Sequence, residues 1–185
     1  SDTAGTITIT ALKKTTNPIN LTFTAAGAHL TLADDAVRAG SGSVALNANG
    51  TVTDSTSADA ITTTVTVLLT SATSAGSAPY GIGGSSTPVN ISASGVAATV
   101  SGSYGIYIEN SATNLNVTSL NGVNGISNSG NTISLLTAGL LTLSQSISSS
   151  GGNVSLAATG GVTVNTGVTV NSGTGLLAVD ADSDD

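Results

Sequence analysis

The densest group of residues that could do chemistry is a run of carboxylates near the end of the chain. Its members alternate with small residues in the sequence DADSDD and comprise Asp180, Asp182, Asp184 and Asp185. Carboxylate oxygens are ligands that Ca²⁺ prefers, so the four side chains form a candidate calcium site. The run lacks the glycine and terminal glutamate of an EF-hand loop, and the G-G-x-G-x-D repeat of calcium-binding β-rolls is absent. The alternative interpretation of residues 180–185 is a solvated acidic tail or a linker, and no other cofactor is expected.

Three tyrosines form a second candidate site, because an aromatic face can stack on a sugar ring. Tyr80 falls in a segment rich in glycine and serine, whereas Tyr104 and Tyr107 lie close to Glu109 in the sequence. We therefore predict Tyr80, Tyr104 and Tyr107 as ligand-binding residues. Host or matrix glycans are the class of ligand that such a platform would take.

Groups suited to acid–base or nucleophilic catalysis are scarce. His29 is the only histidine, and its nearest carboxylates in the sequence are Asp34 and Asp35. Serine and threonine are abundant, but a hydroxyl without a neighbouring base is a poor nucleophile, and no G-x-S-x-G elbow links a strand to a helix. Residues 111–179 contain no ionisable side chain at all. We expect a protein that is not an enzyme.

The balance of charge excludes two classes of partner. The 185 residues include 3 basic and 10 acidic side chains, a formal net charge of −7, and no positive charge follows Arg38. Such a surface repels a phosphate backbone, so nucleic-acid binding is excluded. It also repels an anionic membrane, and the apolar runs are too short for a spanning helix, so no membrane insertion is expected. Because cysteine is absent, disulfides and thiolate metal sites are excluded as well.

Short strands must position these residues. Aliphatic and polar residues alternate in triplets along the whole chain, from ITI at 7–9 to VTV at 168–170, and glycine, asparagine and serine fill the gaps. A period of two over so few residues indicates strands with one buried face. The one weak helical pattern is a single turn at most, over Ala33–Arg38. The sequence predicts an all-β protein.

An internal repeat predicts how the strands are arranged. Residues 132–152 align without a gap on residues 153–173, which places Ile147 on Val168. Each unit contains three short strands, and their backbone groups can be satisfied only by pairing with the next unit. Parallel stacking gives a β-solenoid of about 8 coils of roughly 21–25 residues each. We expect four residues of the second unit to point inward onto four of the first: Val154, Leu156, Val162 and Val164 onto Ile133, Leu135, Leu141 and Leu143.

One segment interrupts this regularity. Residues 71–88 are rich in glycine and serine and include Pro79 and Pro88, so we predict a loop that bulges from one coil. A loop raised on a rigid scaffold is also where ligand specificity is expected. No charged linker separates the regular parts, so residues 1–179 are predicted to form a single domain.

The sequence GGNVSLAATGGVTVN at residues 151–165 resembles the shaft repeats of filamentous-haemagglutinin-type adhesins and related bacterial surface exoproteins. The likeness covers residues 132–179 and is compositional elsewhere. The resemblance implies a right-handed parallel β-helix that is secreted across an outer membrane and is extracellular or located at the cell surface. It implies a non-catalytic structural role, as an adhesin shaft or filament spacer.

Two other functions stay open. Alternating threonines such as those at residues 6–10 resemble the faces of ice-binding solenoids, so a glycan- or ice-binding module is one alternative. A low pI and the lack of cysteine also fit an array protein of S-layer type. Lys13 and Lys14 near one end are opposite in sign to the acidic run near the other, and neither end shows a covering helix. The expected partners are therefore neighbouring coils or subunits of the same protein, arranged head to tail.

Overall fold

The computed structural model describes residues 5–25, 27–72, 81–102 and 104–182, and every regular element in these ranges is a β-strand. In chain order the strands are β1 Thr6–Ile9, β2 Leu12–Lys13, β3 Ile19–Phe23, β4 His29–Leu32, β5 Val37–Gly40, β6 Val44–Ala48, β7 Val52–Asp54, β8 Ile61–Thr63, β9 Thr66–Ser71, β10 Val89–Ser92, β11 Gly95–Val100, β12 Ile106–Asn110, β13 Asn114–Val117, β14 Ser119–Leu120, β15 Val123–Asn124, β16 Ile126–Asn128, β17 Ile133–Thr137, β18 Leu140–Leu143, β19 Ile147–Ser149, β20 Val154–Ala158, β21 Val162–Val164, β22 Val170–Asn171 and β23 Leu177–Asp180.

The strands stack in parallel, each on its counterpart in the next turn. One sheet contains eight strands in the order β2-β5-β8-β10-β12-β17-β20-β23. A second begins as β3-β6-β9-β11 and divides at β11 into the branches β13-β18-β21 and β16-β19-β22, and a third contains β1-β4-β7. The protein is a parallel β-solenoid, which confirms the fold that the repeat predicted.

The solenoid has about seven turns, rather than about eight, because some turns are longer than expected. Ile91 pairs with Ile61, 30 positions earlier in the chain, and the turn from Ala98 to Ile126 includes an antiparallel hairpin of β14 and β15. The alignment of Ile147 on Val168 is also wrong, since Ile147 pairs with Val170. A tight turn in which the Val168 amide donates to the Asn165 carbonyl at 3.1 Å takes up the extra residues.

Aliphatic side chains from all the turns form one continuous core inside the solenoid. A representative inward-facing row consists of Ile19, Val44, Val67, Val96, Val117, Leu143 and Val164. The inward register predicted from the repeat is confirmed, because Ile133 pairs with Val154 and Leu141 with Val162. Parallel pairing places like side chains one above another, so each aliphatic residue of an inner turn is covered by its counterparts in the turns on either side.

The β14–β15 hairpin is an addition to the solenoid that the repeat does not contain. Its turn is formed by Asn121 and Gly122, which have φ values of 51° and 83°, as a type I′ turn requires. The hairpin folds over the outside of the second sheet, where Leu120 and Val123 pack on a small apolar cluster. That cluster consists of Ala45, Leu68 and Ala97. An outward-facing leucine is thereby buried without belonging to the main core.

Two local patterns in the sequence take a more specific form in the structure. Residues 33–38 do not form a helical turn, because the Ala36 amide donates to the Ala33 carbonyl in a tight turn and β5 begins at the next residue. The predicted loop at 71–88 contains residues that belong to the solenoid. Ser71 ends β9, and Ile82 is fully buried and bridges Val52 and Ile106. Gly84 and Thr87 close a tight turn in the later part of the predicted loop, and residues 73–80 lie outside the described residues.

Candidate functional site

The acidic run provides two described carboxylates at the last turn. Asp180 ends β23, and both Asp180 and Asp182 are exposed, with the Asp182 amide donating to Asp180 Oδ1 at 3.4 Å. Asp184 and Asp185 lie outside the described residues. Within the described ranges, no three His, Asp or Glu side chains gather closely enough to hold a metal ion. The calcium site at these four residues stays a prediction.

The tyrosines are divided between different places. Tyr80 lies outside the described residues, and Tyr104 is 41% exposed. Tyr107 is half-buried on β12 and lines a groove of about 210 Å³ together with Glu109, Ser134 and Leu136. Tyr104 is not part of this groove. The structure therefore brings one predicted tyrosine and the neighbouring carboxylate into one shallow site.

His29 has a hydrogen-bonding partner but no catalytic constellation in the described structure. Its Nδ1 lies 2.9 Å from Thr51 Oγ1 in the next turn. The same face of β1, β4 and β7 contains a threonine row of Thr8, Thr31 and Thr53, in which the hydroxyls of the last two are 3.2 Å apart. Threonines thus occupy equivalent positions in three successive turns. In the neighbouring row on the same face, His29 occupies the position in the second of these turns.

A longer polar row follows the outside of the second sheet from β3 to β22. It consists of Thr22, Asn47, Thr70, Thr99, Ser127, Ser148 and Asn171. The Thr70 hydroxyl donates to Asn47 Oδ1 at 2.9 Å, and the hydroxyls of Thr99 and Ser127 are 3.1 Å apart. Hydrogen bonds between side chains therefore link successive turns in addition to the backbone ladder. We call these seven residues the polar ladder.

Asp54 is a buried carboxylate at the end of β7. Its Oδ2 accepts hydrogen bonds from the backbone amide of Asn90 at 3.1 Å and from Asn90 Nδ2 at 3.0 Å. Its Oδ1 accepts from the Thr56 amide at 3.0 Å. Neutral donors from the same corner and from the following turn thus satisfy the carboxylate, as a buried charge requires. These contacts give Asp54 a structural role at a corner of the solenoid.

One concave site on the described surface gathers all three basic residues of the chain. Lys13 on β2 pairs with Arg38 on β5, and both line a cavity of about 580 Å³ together with Lys14. The rest of the lining consists of Thr15, Thr16, Asn17, Gly40 and Thr62. We call this site the cationic cavity. Sequence reasoning missed it, because Lys13 and Arg38 become neighbours only when the length of the first turn is known.

One carboxylate neutralises part of this charge. Arg38 Nε donates to Asp35 Oδ1, and Lys13 Nζ donates to Asp35 Oδ2 at 3.3 Å. The hydrogen bond from Arg38 is the main reason that the pKa of Asp35 lies below its ordinary value. Desolvation opposes this shift, and the hydrogen bond from Lys13 adds to it. Lys14 forms no ion pair with any described residue. The cavity therefore keeps positive charge after its internal ion pairs are made.

Comparison with known proteins gives no family for this chain. No family model, curated protein or solved structure matches it. The described residues also include no helix long and apolar enough to cross a membrane. The fold alone defines the class, which is that of β-solenoid repeat proteins.

Proposed function

We propose that this chain is a non-catalytic structural segment, a rigid shaft or spacer, of an exported bacterial surface or extracellular fibrous protein. The observation that carries the proposal is continuity. Inward aliphatic rows and the polar ladder both run through the turns from β3 to β22 without a break. A continuous stack of this kind keeps its two ends at a fixed distance from each other.

Stiffness follows from the way the turns are joined. Each turn is linked to the next by parallel strands on more than one side, as at Ile133–Val154 and Leu141–Val162. Bending between two turns would therefore stretch one set of backbone hydrogen bonds and open the aliphatic core at the same time. Because each turn contacts chiefly its neighbours, the same architecture can be extended by adding further turns.

The proposed location rests on composition and on the resemblance of residues 132–179 to adhesin shafts. Charged residues make up 7% of the chain, and the polar ladder on the outside of the second sheet consists of threonine, serine and asparagine. A long uncharged polar surface suits a fibre outside the cell, where it offers few sites to proteases that cleave after basic or aromatic residues.

Head-to-tail contact with further coils or with another subunit is part of the proposal. The inward rows reach both end faces, where Val164, Leu177 and Val179 are 50%, 44% and 51% exposed and Ile7 is 41% exposed. Covering these side chains with another turn would remove apolar surface from water and pair the edge strands.

Antibodies raised against the segment test the proposed location on the cells that produce the protein. Labelling of intact cells, before any permeabilisation, is the expected result. Labelling that requires permeabilisation would contradict the proposal of an exported fibre. A cytoplasmic protein followed in the same samples serves as the control for leakage.

A glycan-binding module is the second candidate, and the groove of Tyr107 and Glu109 is the observation that favours it. Binding to a glycan array by the whole chain, lost in Tyr107→Ala and kept in Tyr104→Ala, would support this function. Tyr104 is the matched control because it is an exposed tyrosine outside the groove. Absence of binding by the unmodified chain would leave the shaft as the better account.

A further inference from the structure

We propose that the cationic cavity binds a small multivalent oxyanion, with carboxylate, sulfate or phosphate as the recognised group. This inference goes beyond a structural role. It rests on the convergence of Lys13, Lys14 and Arg38 on one concave site, although they are the only basic residues in a chain of net charge −7.

The charge distribution directs an anion to this place and away from others. In the described part of the chain all three cations line the cavity and no acidic residue does, although the carboxylate of Asp35 pairs with two of these cations. A concave site lined by one sign of charge concentrates the field and attracts counter-ions. Because the rest of the chain has no basic residue, an anion meets neutral or negative surface there.

Asp35 shows how two of the cations accept a carboxylate. One of its oxygens contacts Arg38 Nε and the other contacts Lys13 Nζ, so the two basic side chains hold it from adjacent turns. The backbone of Asp35 is in the left-handed region, with φ at 51°, within the tight turn that precedes β5. Asp35 is therefore an internal competitor for an anion that enters the cavity, and Lys14 is the cation that Asp35 leaves unpaired.

The size and the remaining lining define the class of ligand. A cavity of about 580 Å³ falls within the range of small-molecule sites and exceeds a single sulfate ion. Thr15, Thr16, Thr62 and Asn17, which carry hydroxyl and amide groups, are the neutral polar residues of the lining. These features suit a compact anion with several acidic oxygens, such as a tricarboxylate.

Calorimetric titration of the whole chain at low ionic strength tests the proposal, with citrate, sulfate and inorganic phosphate as separate probes. We expect saturable binding at one site, with citrate bound most tightly. Lys14→Gln should weaken binding by roughly threefold or more, the effect of losing one solvent-exposed charge contact. Lys14→Arg should retain binding.

Asp35→Asn provides a test in the opposite direction. Removing the internal competitor should strengthen citrate binding, and asparagine tolerates the left-handed backbone at this position. Asp34→Asn is the matched control, because it changes the net charge equally at an exposed neighbour that forms no ion pair with the three cations in the described structure. A thermal melt of each variant checks that it folds.

Several results would overturn the proposal. One is the absence of saturable binding, and another is equal binding by the unmodified chain and Lys14→Gln. A third is an equal gain in affinity from Asp34→Asn and Asp35→Asn, which would reveal only a general effect of net charge. Tighter binding of the peptide DADSDD than of citrate would also overturn it, because the cavity would then be a contact for the acidic run of another copy.

Discussion

Leu143 stacks directly on Val164 of the next turn, yet Leu143 is fully buried and Val164 is half exposed. The two side chains belong to one inward row and differ only in how many turns cover them. Burial in this protein is therefore a property of the stack rather than of a single strand. Stability should depend on position along the row.

Truncation along this row gives the first prediction. Leu143→Ala should lower the free energy of unfolding by about 2–5 kcal/mol, because it removes packed atoms and leaves a cavity. Val164→Ala should cost less than half as much, since water already reaches that side chain, and Thr142→Ala, on the outward face, should cost still less. Urea unfolding measures all three. Equal losses from Leu143→Ala and Thr142→Ala would contradict the register.

Close approach of successive turns gives the second prediction. A Cβ added at Gly139 would overlap the backbone oxygen of Thr113, whereas a Cβ at Gly167 would meet no atom within 4 Å. Gly139→Ala should therefore force two turns apart and cost about 3 kcal/mol or more. Gly167→Ala should cost about 1–2 kcal/mol, because only its φ of 79° is unfavourable for alanine. Comparable melting temperatures for the two variants would disagree with this packing.

The hairpin cluster gives the third prediction. Leu120 packs against the cluster of Leu68 from outside the solenoid, while Leu136 lies on an outward face and is exposed. Leu120→Ala should lower the free energy of unfolding by about 1–2 kcal/mol, through loss of its buried apolar area. Leu136→Ala is the matched control and should be close to neutral. Hydrogen exchange at residues 119–124 would locate the loss, and an unaffected hairpin would contradict the assignment.

The ion pairs of Asp35 give the fourth prediction. Its pKa is lower in the folded chain than in the unfolded one, chiefly because of the hydrogen bond from Arg38. The pairs therefore add stability above the ordinary pKa of an aspartate, and this contribution is lost as the pH falls through the lowered pKa. Arg38→Gln should raise the pKa of Asp35 toward its ordinary value, whereas Lys14→Gln should leave it in place. Carboxyl NMR titration measures both, and equal effects would count against the specific pairing.

The strands and much of their register were predictable from the sequence. Alternation with a period of two identified the inward face, and the gapless repeat aligned Ile133 with Val154 through residue spacing alone. Both signals are local or periodic. The Asn121-Gly122 dipeptide was an equally local hairpin signal and would have predicted the β14–β15 turn.

Other features depended on quantities that the pattern does not contain. Ile82 is flanked by glycines rather than by alternating residues, so its place in the core is visible only through its bridges to Val52 and Ile106. The pairing of Ile147 with Val170 depends on how many residues the corner between two strands contains. The cationic cavity depends likewise on the length of the first turn. Corner geometry, more than strand pattern, limited what could be predicted.

The distance between spin labels on the polar ladder tests the central claim of a rigid solenoid most directly. The chain has no cysteine, so Thr22→Cys with Asn171→Cys, and Thr70→Cys with Asn171→Cys, place labels at chosen turns only. Six steps separate the first pair and four the second, which predicts narrow distributions centred at roughly 29 Å and roughly 19 Å at about 4.8 Å per step. Pulsed electron–electron double resonance measures both distances. Broad distributions, or distances that do not grow with the number of turns, would contradict the account.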